Sequence, residues 1–380
     1  MSSSGRDRGT PGACAICRRR SWLLSALSGP LDFCARDRGR LIELLALADD
    51  ELLRAVAGRR ARELKSRYER FQADEPAPEE NAGAICRHRR GYPPSLRGPA
   101  APHMLSVAGG ARRLVKLTGA PVVSIVGSTV ASDYGIQMAR SLARGLAASG
   151  VTVAASLADG IAVAAHAAAL DAGGASIAVM GGGLEVSCPA RRRSLYEQLT
   201  RAGCAISELP ADCGGRRWGQ LAAERIVVEL ASLTVLVEAD DTEGDLAGAR
   251  IAQALGRTVA AIPGRVTSPL SRGTHALLID GAKLIRGPRD ALELLYTHDA
   301  RTDQPAPQAA AGALQAHTNL APRLAALLER VGAGDDTPDK LTRDRGDCAE
   351  VLLALSELEL MGLLARGDGG RYLPRDALPT

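Results

Sequence analysis

The feature that most constrains the fold is a regular alternation of short apolar runs and longer amphipathic runs between residues 119 and 298. The apolar runs predict buried strands at Val122–Val126, Val151–Ala155, Ser176–Met180, Cys204–Glu208, Leu233–Glu238 and Thr258–Ile262. The intervening runs predict helices after Ser132 and at 160–172, 190–202, 217–231 and 246–256. Alternating strands and helices predict a parallel sheet with helices on both faces. Aromatic residues make up only 3% of the sequence, so the core must be built from Ala, Val, Leu and Ile.

Changes in composition divide the rest of the chain into further segments. Residues 1–73 carry leucines at helical spacing and predict an N-terminal helical domain. Residues 74–118 begin with an acidic, proline-rich linker and continue as a connecting segment, and residues 299–320 predict a second linker. Residues 321–380 predict three helices and a hairpin, which is the order of a winged helix. The predicted fold class is therefore α/β: a Rossmann-like parallel sheet domain, an N-terminal helical domain and a C-terminal winged-helix domain.

Net charge and the distribution of apolar residues bear on whether the protein binds nucleic acid, spans a membrane or is secreted. The net charge of +4 permits nucleic-acid binding without demanding it. The sequence has no apolar run of about 18 residues, which predicts no membrane span. The segment from Met1 to Gly12 has no apolar core of a secretory signal, so we expect a cytoplasmic protein. Its eight cysteines then read as thiols or metal ligands, not as a disulfide framework.

The first candidate site is the loop from Gly127 to Ser132, which joins a predicted strand to a predicted helix. Ligands on parallel sheets bind beyond the carboxyl ends of the strands, and a helix N-terminus favours an anion. Gly127 permits close approach, and Ser128 and Ser132 offer hydroxyl donors. The loop has neither the GxGxxG pattern nor a Walker lysine, which disfavours a dinucleotide or a triphosphate. An ordinary capped turn explains the same residues.

Two later loops also carry donors. Arg191, Arg192 and Arg193 follow a glycine-rich strand end and are suited to tracking a phosphate backbone, or to a solvated helix start. Arg272, Gly273 and Thr274 cluster donors at another helix start, and Lys283 adds positive charge nearby.

The cysteines near the N-terminus have a spacing typical of zinc ligands. Cys14 and Cys17 form a CxxC pair, and Cys34 is a third candidate ligand. Cys86, or His88 two residues later, completes four ligands for a structural zinc. Because a second CxxC pair is absent, unliganded thiols explain the pattern as well.

Several motifs occur in an order and spacing that resemble the DNA-processing protein A (DprA/Smf) family over residues 92–298. They are Tyr92-Pro93…Leu96, Val126-Gly127-Ser128…Ser132-Asp133-Tyr134-Gly135, Leu157-Ala158…Gly160-Ile161…Ala164-Ala165-His166, Ile177–Leu184, Ser207-Glu208, Val237-Glu238-Ala239 and Pro263-Gly264…Ser271-Arg272-Gly273-Thr274. The resemblance implies a Rossmann-like protein without a catalytic reaction or a required cofactor. It implies that the protein binds single-stranded DNA, protects incoming DNA during natural transformation, loads the RecA recombinase and dimerises.

The sequence departs from the family pattern at positions that face the anion. Thr129 stands where the family has an arginine, Asp159 replaces another arginine, and Ala162 replaces an aspartate. A carboxylate near a phosphate is repulsive, so these changes predict weakened DNA affinity. Few aromatic rings are available for stacking on bases, so binding is expected to depend mainly on phosphate contacts and on salt.

The first hypothesis is thus a recombination mediator that holds phosphates with Gly127, Ser128, Ser132, Arg191, Arg192, Arg272, Gly273, Thr274 and Lys283. One alternative is a phosphoribohydrolase-like enzyme on nucleotides, although the stretch from Gly181 to Glu185 lacks the signature of that class. Another is a DNA-incompetent protein scaffold. The predicted third helix of the C-terminal domain carries Glu350, Glu357 and Glu359 and no cation, which favours contact with protein over contact with DNA.

Overall fold

The computed structural model describes residues 12–71, residues 83–299 apart from 97, 99, 185–187, 189, 211 and 212, and five pieces of the C-terminal region, 321–332, 337–342, 348–360, 363–366 and 372–374. Residues 74–82, the acidic start of the predicted segment 74–118, lie outside these ranges. So do residues 300–320 of the predicted linker 299–320 and residues 367–371 within the predicted hairpin. The chain divides into two compact units, residues 1–298 and 299–380.

A nine-stranded, mostly parallel sheet forms the centre of the first unit. Its strands are β1 (Ala84–Cys86), β2 (Met104–Ala108), β3 (Val122–Val126), β4 (Thr152–Ser156), β5 (Ser176–Val179), β6 (Cys204–Ser207), β7 (Leu233–Leu236), β8 (Thr258–Ala261) and β9 (Lys283–Leu284). Their order is β1-β2-β6-β5-β4-β3-β7-β8-β9, and β3 to β9 run parallel. The predicted α/β class with a parallel sheet is confirmed.

Residues 84–118, predicted as a connecting segment, instead extend the sheet. β1 pairs antiparallel with β2, and β2 pairs antiparallel with β6 through Ser106, Val107 and Ala108. Leu105 and Val107 are buried while their neighbours in β2 are half-exposed, as expected for a strand with one face on the core.

Helices precede the sheet and cover both of its faces. Those before it are α1 (Ala15–Ala26), α2 (Ser28–Cys34), α3 (Arg38–Ala46), α4 (Asp49–Val56) and α5 (Ala61–Glu69). Those within the sheet region are α6 (Ala111–Thr118), α7 (Asp133–Ala148), α8 (Ile161–Asp171), α9 (Arg193–Ala202), α10 (Arg217–Leu230), α11 (Glu243–Ala254), α12 (Arg272–Ile279) and α13 (Pro288–Asp299). No helix among the described residues is both long and apolar enough to cross a membrane.

Small side chains build the core, as the low aromatic content predicts. On one face, α7 and α8 pack on β3 and β4 through alanines such as Ala139, Ala143 and Ala165. On the other face, α10 packs through Ala223 and Ile226. Because alanine side chains are short, these helices can approach the sheet closely. Each of α7 and α8 directly follows a parallel strand, so its N-terminus lies at the carboxyl edge of the sheet.

The N-terminal helices share a core with the sheet region. Trp218 of α10 is fully buried and donates a hydrogen bond from Nε1 to the hydroxyl of Ser28 at 2.9 Å. Its backbone N–H donates to the carboxylate of Asp32 at 3.2 Å. These contacts place residues 12–71, predicted as a domain of their own, in the same compact unit as the sheet.

The second unit contains helices and strands in the predicted order. They are α14 (Pro322–Gly332), α15 (Pro338–Leu341), α16 (Cys348–Leu360), β10 (Leu364–Arg366) and β11 (Tyr372–Pro374). β10 and β11 pair antiparallel, and Leu324, Leu355 and Tyr372 belong to a separate small core. The assignment of this unit as a winged helix stays a prediction.

Candidate nucleic-acid interface

The sheet changes its direction of winding between β3 and β7. The chain moves from β3 outward through β4, β5 and β6, and then returns to the other side of β3 as β7. The loops after β3 and β7 therefore diverge and leave a crevice at the carboxyl edge, which is where sheets of this kind bind ligands. The loop from Gly127 to Ser132 lies on one side of this crevice, and Glu238 lies on the other.

The carboxylate of Glu238 occupies the anion position at the N-terminus of α7. It accepts hydrogen bonds from the backbone N–H of Ser132 at 2.8 Å and from the Ser132 hydroxyl at 2.6 Å. A side chain at Gly135 would lie 2.8 Å from the carboxyl carbon, so this turn of α7 requires glycine. The loop was predicted to hold a phosphate; in the structure the donors of Ser132 bind a carboxylate of the protein itself.

The neighbouring residues of this loop are also engaged within the protein. The backbone N–H of Ser128 donates to the carbonyl of Glu238 at 2.7 Å, and only 3% of Ser128 is exposed. A Cβ atom on Gly127 would lie 2.7 Å from the same carbonyl, which explains the glycine. Gly127, Ser128 and Ser132 thus shape the crevice, and the donors of Ser128 and Ser132 are already bound within the protein.

His166 fixes the loop that follows β4. Its ring is fully buried, with Nδ1 2.7 Å from the hydroxyl oxygen of Ser176 and Nε2 3.2 Å from the carbonyl of Ser156. Burial lowers the pKa of His166 to about 4, so the ring is neutral near pH 7. This geometry gives His166 a role in positioning the backbone.

The predicted contacts Arg191 and Arg192 lie together, and both pair with Asp159. Arg192 donates from Nε to one oxygen of Asp159 at 2.9 Å, and its guanidinium also donates to the carbonyl of Leu157. Arg191 donates to the other oxygen of Asp159. The hydrogen bond from Arg192 lowers the pKa of Asp159 and keeps it ionised. A residue of the loop after β4 thus holds the two arginines that follow β5.

The loop after β8 separates into buried and exposed residues. Thr274 is buried and donates to the carbonyl of Ser271 at 3.0 Å, and a Cβ atom on Gly273 would lie 2.7 Å from the carbonyl of Asp240. Gly273 and Thr274 therefore position the start of α12. Arg272 instead points outward and forms no side-chain hydrogen bond or ion pair with any residue that the structure describes.

Two more exposed cations lie near Arg272. Arg265 precedes it in the same loop, and Lys283 pairs in register with Ala260 close to the end of β8. Neither side chain has a hydrogen-bond or ion-pair partner within the described part of the chain. Arg191 and Arg192 follow β5, Arg265 and Arg272 follow β8, and Lys283 begins β9. Strands β5 and β9 are five strand spacings, or about 24 Å, apart in the sheet. We call Arg191, Arg192, Arg265, Arg272 and Lys283 the basic edge.

The structure brings together three of the four cysteines predicted as metal ligands. Sγ of Cys14, Sγ of Cys17, Sγ of Cys86 and a ring nitrogen of His88 all lie within 4.8 Å of one another. Cys34 is not a member of this group, contrary to the prediction. It ends α2 and packs against the apolar core around Trp218, because α2 turns that side toward α10.

Glu238 is the important site residue that sequence reasoning did not assign. It follows a predicted strand, and its partner Ser132 lies 106 positions earlier. The only local signal was the glycine at position 135, which leaves space in the first turn of a helix for an outside group.

Comparisons with known proteins agree with this architecture. Residues 83–296 match the family model described as DNA recombination-mediator protein A. A DNA processing protein DprA of Mycobacterium tuberculosis is 36% identical over 252 residues, which is 65% of this chain and 62% of that protein. The protein Smf of Escherichia coli is also 36% identical over 252 residues, 65% of this chain and 66% of that protein. The match thus spans less than two thirds of the length of either relative.

A solved structure shows the same fold. The X-ray structure of DprA from Streptococcus pneumoniae superposes with a TM-score of 0.60 at 26% sequence identity. The superposition covers 74% of this chain and 98% of that chain.

Proposed function

Because the chain belongs to the DNA recombination-mediator protein A family, we propose that it binds single-stranded DNA along the basic edge. The observation that carries the proposal is the set of three exposed cations without partners among the described residues, Arg265, Arg272 and Lys283. Unpaired cations aligned at one edge attract a polyanion, and phosphate contacts release counterions from it. The stretch of sheet edge from β5 to β9, about 24 Å wide, would accommodate several consecutive nucleotides.

The proposed role is that of a mediator without a catalytic step. The protein would protect incoming single-stranded DNA during transformation and load the RecA recombinase, acting as a homodimer in the cytoplasm. Family membership and the basic edge support this role. The N-terminus of α7, where a nucleotide phosphate would bind in an enzyme of related fold, is already neutralised by Glu238. This observation disfavours the nucleotide-hydrolysing alternative.

A second candidate is a protein scaffold that does not bind DNA. The pairing of Asp159 with Arg191 and Arg192 favours it, since two of the five cations on the basic edge are then engaged within the protein. The two candidates differ in whether the remaining cations bind DNA in a salt-dependent manner.

The test is a fluorescence-anisotropy titration of labelled oligo-dT and of its duplex over a salt series. We expect a preference for the single strand and a linear fall of log affinity with log salt. The triple alanine variant of Arg265, Arg272 and Lys283 should reduce the magnitude of that slope by about 2, at about 0.7 per lost phosphate contact.

A matched control removes the same charge elsewhere. It replaces three exposed cations on the N-terminal helices, Arg59, Arg62 and Lys65, by alanine. If the control variant loses as much affinity as the edge variant, only net charge matters and the site is misplaced. If the wild-type protein does not bind single-stranded DNA at low salt, the mediator proposal fails and the scaffold is favoured.

A further inference from the structure

Two short segments, far apart in the sequence, meet at the Cys14, Cys17, Cys86 and His88 group. Cys14 is the N-cap of α1, and Cys17 lies in its first turn. Cys86 ends β1, and His88 follows it in the next turn. Nδ1 of His88 lies 3.3 Å from the Sγ atoms of both Cys14 and Cys17. The group therefore joins the first helix of the chain to the edge of the sheet.

The distances agree with a tetrahedral zinc site. Zn–S bonds of about 2.3 Å and Zn–N bonds of about 2.0 Å place sulfur atoms about 3.8 Å apart and sulfur and nitrogen about 3.5 Å apart. The observed 3.3 Å between His88 and each of the two sulfur atoms is close to that value. All pairs lie within 4.8 Å, so small side-chain rotations suffice to complete the tetrahedron.

A helix N-terminus and a backbone donor lie beside the group. The N-terminus of α1 carries partial positive charge, and the backbone N–H of Cys14 donates to Sγ of Cys86 at 3.4 Å. Cys17 is followed by three arginines, and His88 lies between Arg87 and Arg89. Three thiolates, one neutral imidazole and a divalent ion would carry a net charge of −1.

We propose that Cys14, Cys17, Cys86 and His88 hold one structural Zn²⁺ ion that fastens α1 to β1. Four protein ligands leave no open coordination position, which is typical of a structural site and not of a catalytic one. Cys17 and Cys86 are fully buried and would form the inner part of the site, while His88 closes it on the solvent side. The ion would stabilise the N-terminal helices against the sheet, because its ligands are assembled only in the folded chain.

The test measures the metal content of the full chain, purified without a histidine tag, by inductively coupled plasma mass spectrometry. We expect about one zinc per chain in the wild-type protein and in Cys34→Ala, which removes a cysteine outside the group. Cys86→Ser should lose the zinc. His88→Ala removes an exposed ligand without disturbing the core, and should release zinc to a chromogenic chelator at least about tenfold faster than Cys34→Ala.

Cobalt substitution gives a second readout. Co²⁺ in the wild-type protein and in Cys34→Ala should show the visible bands of a tetrahedral site and a thiolate charge-transfer band, which His88→Ala weakens. Zinc retained unchanged in Cys86→Ser or His88→Ala would overturn the assignment. So would a wild-type chain that binds no zinc or that carries iron instead. None of these outcomes depends on DNA binding, so a failure of this proposal is distinguishable from a failure of the proposed function.

Discussion

Replacing Asp159 with asparagine removes the carboxylate that holds Arg191 and Arg192. The two arginines differ in how freely their side chains can move once the carboxylate is removed. Arg191 is 67% exposed and has Asp159 as its only described partner, whereas Arg192 is 14% exposed and also donates to the carbonyl of Leu157. We therefore expect Asp159→Asn to release Arg191 to a phosphate and to leave Arg192 in place.

The size of the effect depends on how many additional phosphates the released side chains bind. One additional phosphate steepens the slope of log affinity against log salt by about 0.7 for single-stranded DNA. If the variant and the wild-type protein bind equally at 1 M salt, the variant should bind about 8-fold more tightly at 50 mM salt and about 3-fold more tightly at 200 mM salt. Release of both arginines would steepen the slope by about 1.4 and tighten binding about 60-fold at 50 mM.

The assay is the anisotropy titration with labelled oligo-dT, and the matched control is Glu63→Gln. Glu63 also pairs with two arginines, Arg60 and Arg67, but on α5, away from the basic edge. Both variants change the net charge by the same amount and free cations at an exposed site. An unchanged slope in Asp159→Asn, or an equal change in Glu63→Gln, would refute the assignment of Arg191 to the DNA site.

Two further predictions concern the framework of the crevice. Glu238→Ala leaves the N–H and the hydroxyl of Ser132 without their acceptor. We expect this change to lower the free energy of unfolding, measured by urea titration, by about 3 kcal/mol. A loss below about 1 kcal/mol would contradict the role given to Glu238. His166 has a folded pKa of about 4, below its unfolded value, so its stabilising effect is complete above about pH 6.5 and is lost as the pH falls toward 4. Between pH 7.5 and 5.5 the wild-type protein should lose about 1.4 kcal/mol more unfolding free energy than His166→Gln, and parallel pH profiles would contradict this.

The parallel strands β3 to β8 could be predicted from the sequence because each is a short, mostly apolar run that is almost entirely buried. The prediction for β3 matches its observed bounds, and those for β4 to β8 agree to within two residues, whereas β9 was not predicted. β1 and β2 were missed for a physical reason. They are short, lie among prolines and glycines, and become strands by pairing with each other and with β6, about a hundred residues later. That pairing has no local signal beyond the alternation in β2.

The site was predictable in its chemistry but not in its partners. The serines and glycines at the start of α7 predicted donors for a phosphate, and in the structure the donors of Ser132 bind the carboxylate of Glu238, which follows β7. Arg191 and Arg192 do lie on the carboxyl edge, but their nearest charge is Asp159. The candidate metal group likewise has ligands that the sequence could not choose between. His88, two residues after Cys86, belongs to it, whereas Cys34 lies in α2 and packs in the apolar core instead. The local sequence thus indicates which side chains can donate hydrogen bonds or ligate a metal, whereas the fold determines which partners lie next to them.

The two carboxylates on this edge of the sheet have different consequences for a nucleic acid. Glu238 is 3% exposed, and a phosphate could replace it only by leaving a buried charge without its donors, which costs several kcal/mol. Asp159 is 42% exposed, and an ion pair in that setting contributes at most about 1 kcal/mol. A phosphate that releases its counterion can match that contribution at low salt. Glu238 therefore keeps the donors at the start of α7 occupied, whereas Asp159 would compete with DNA for Arg191 under the proposed function. We accordingly expect the aspartate at position 159 to weaken DNA binding without abolishing it.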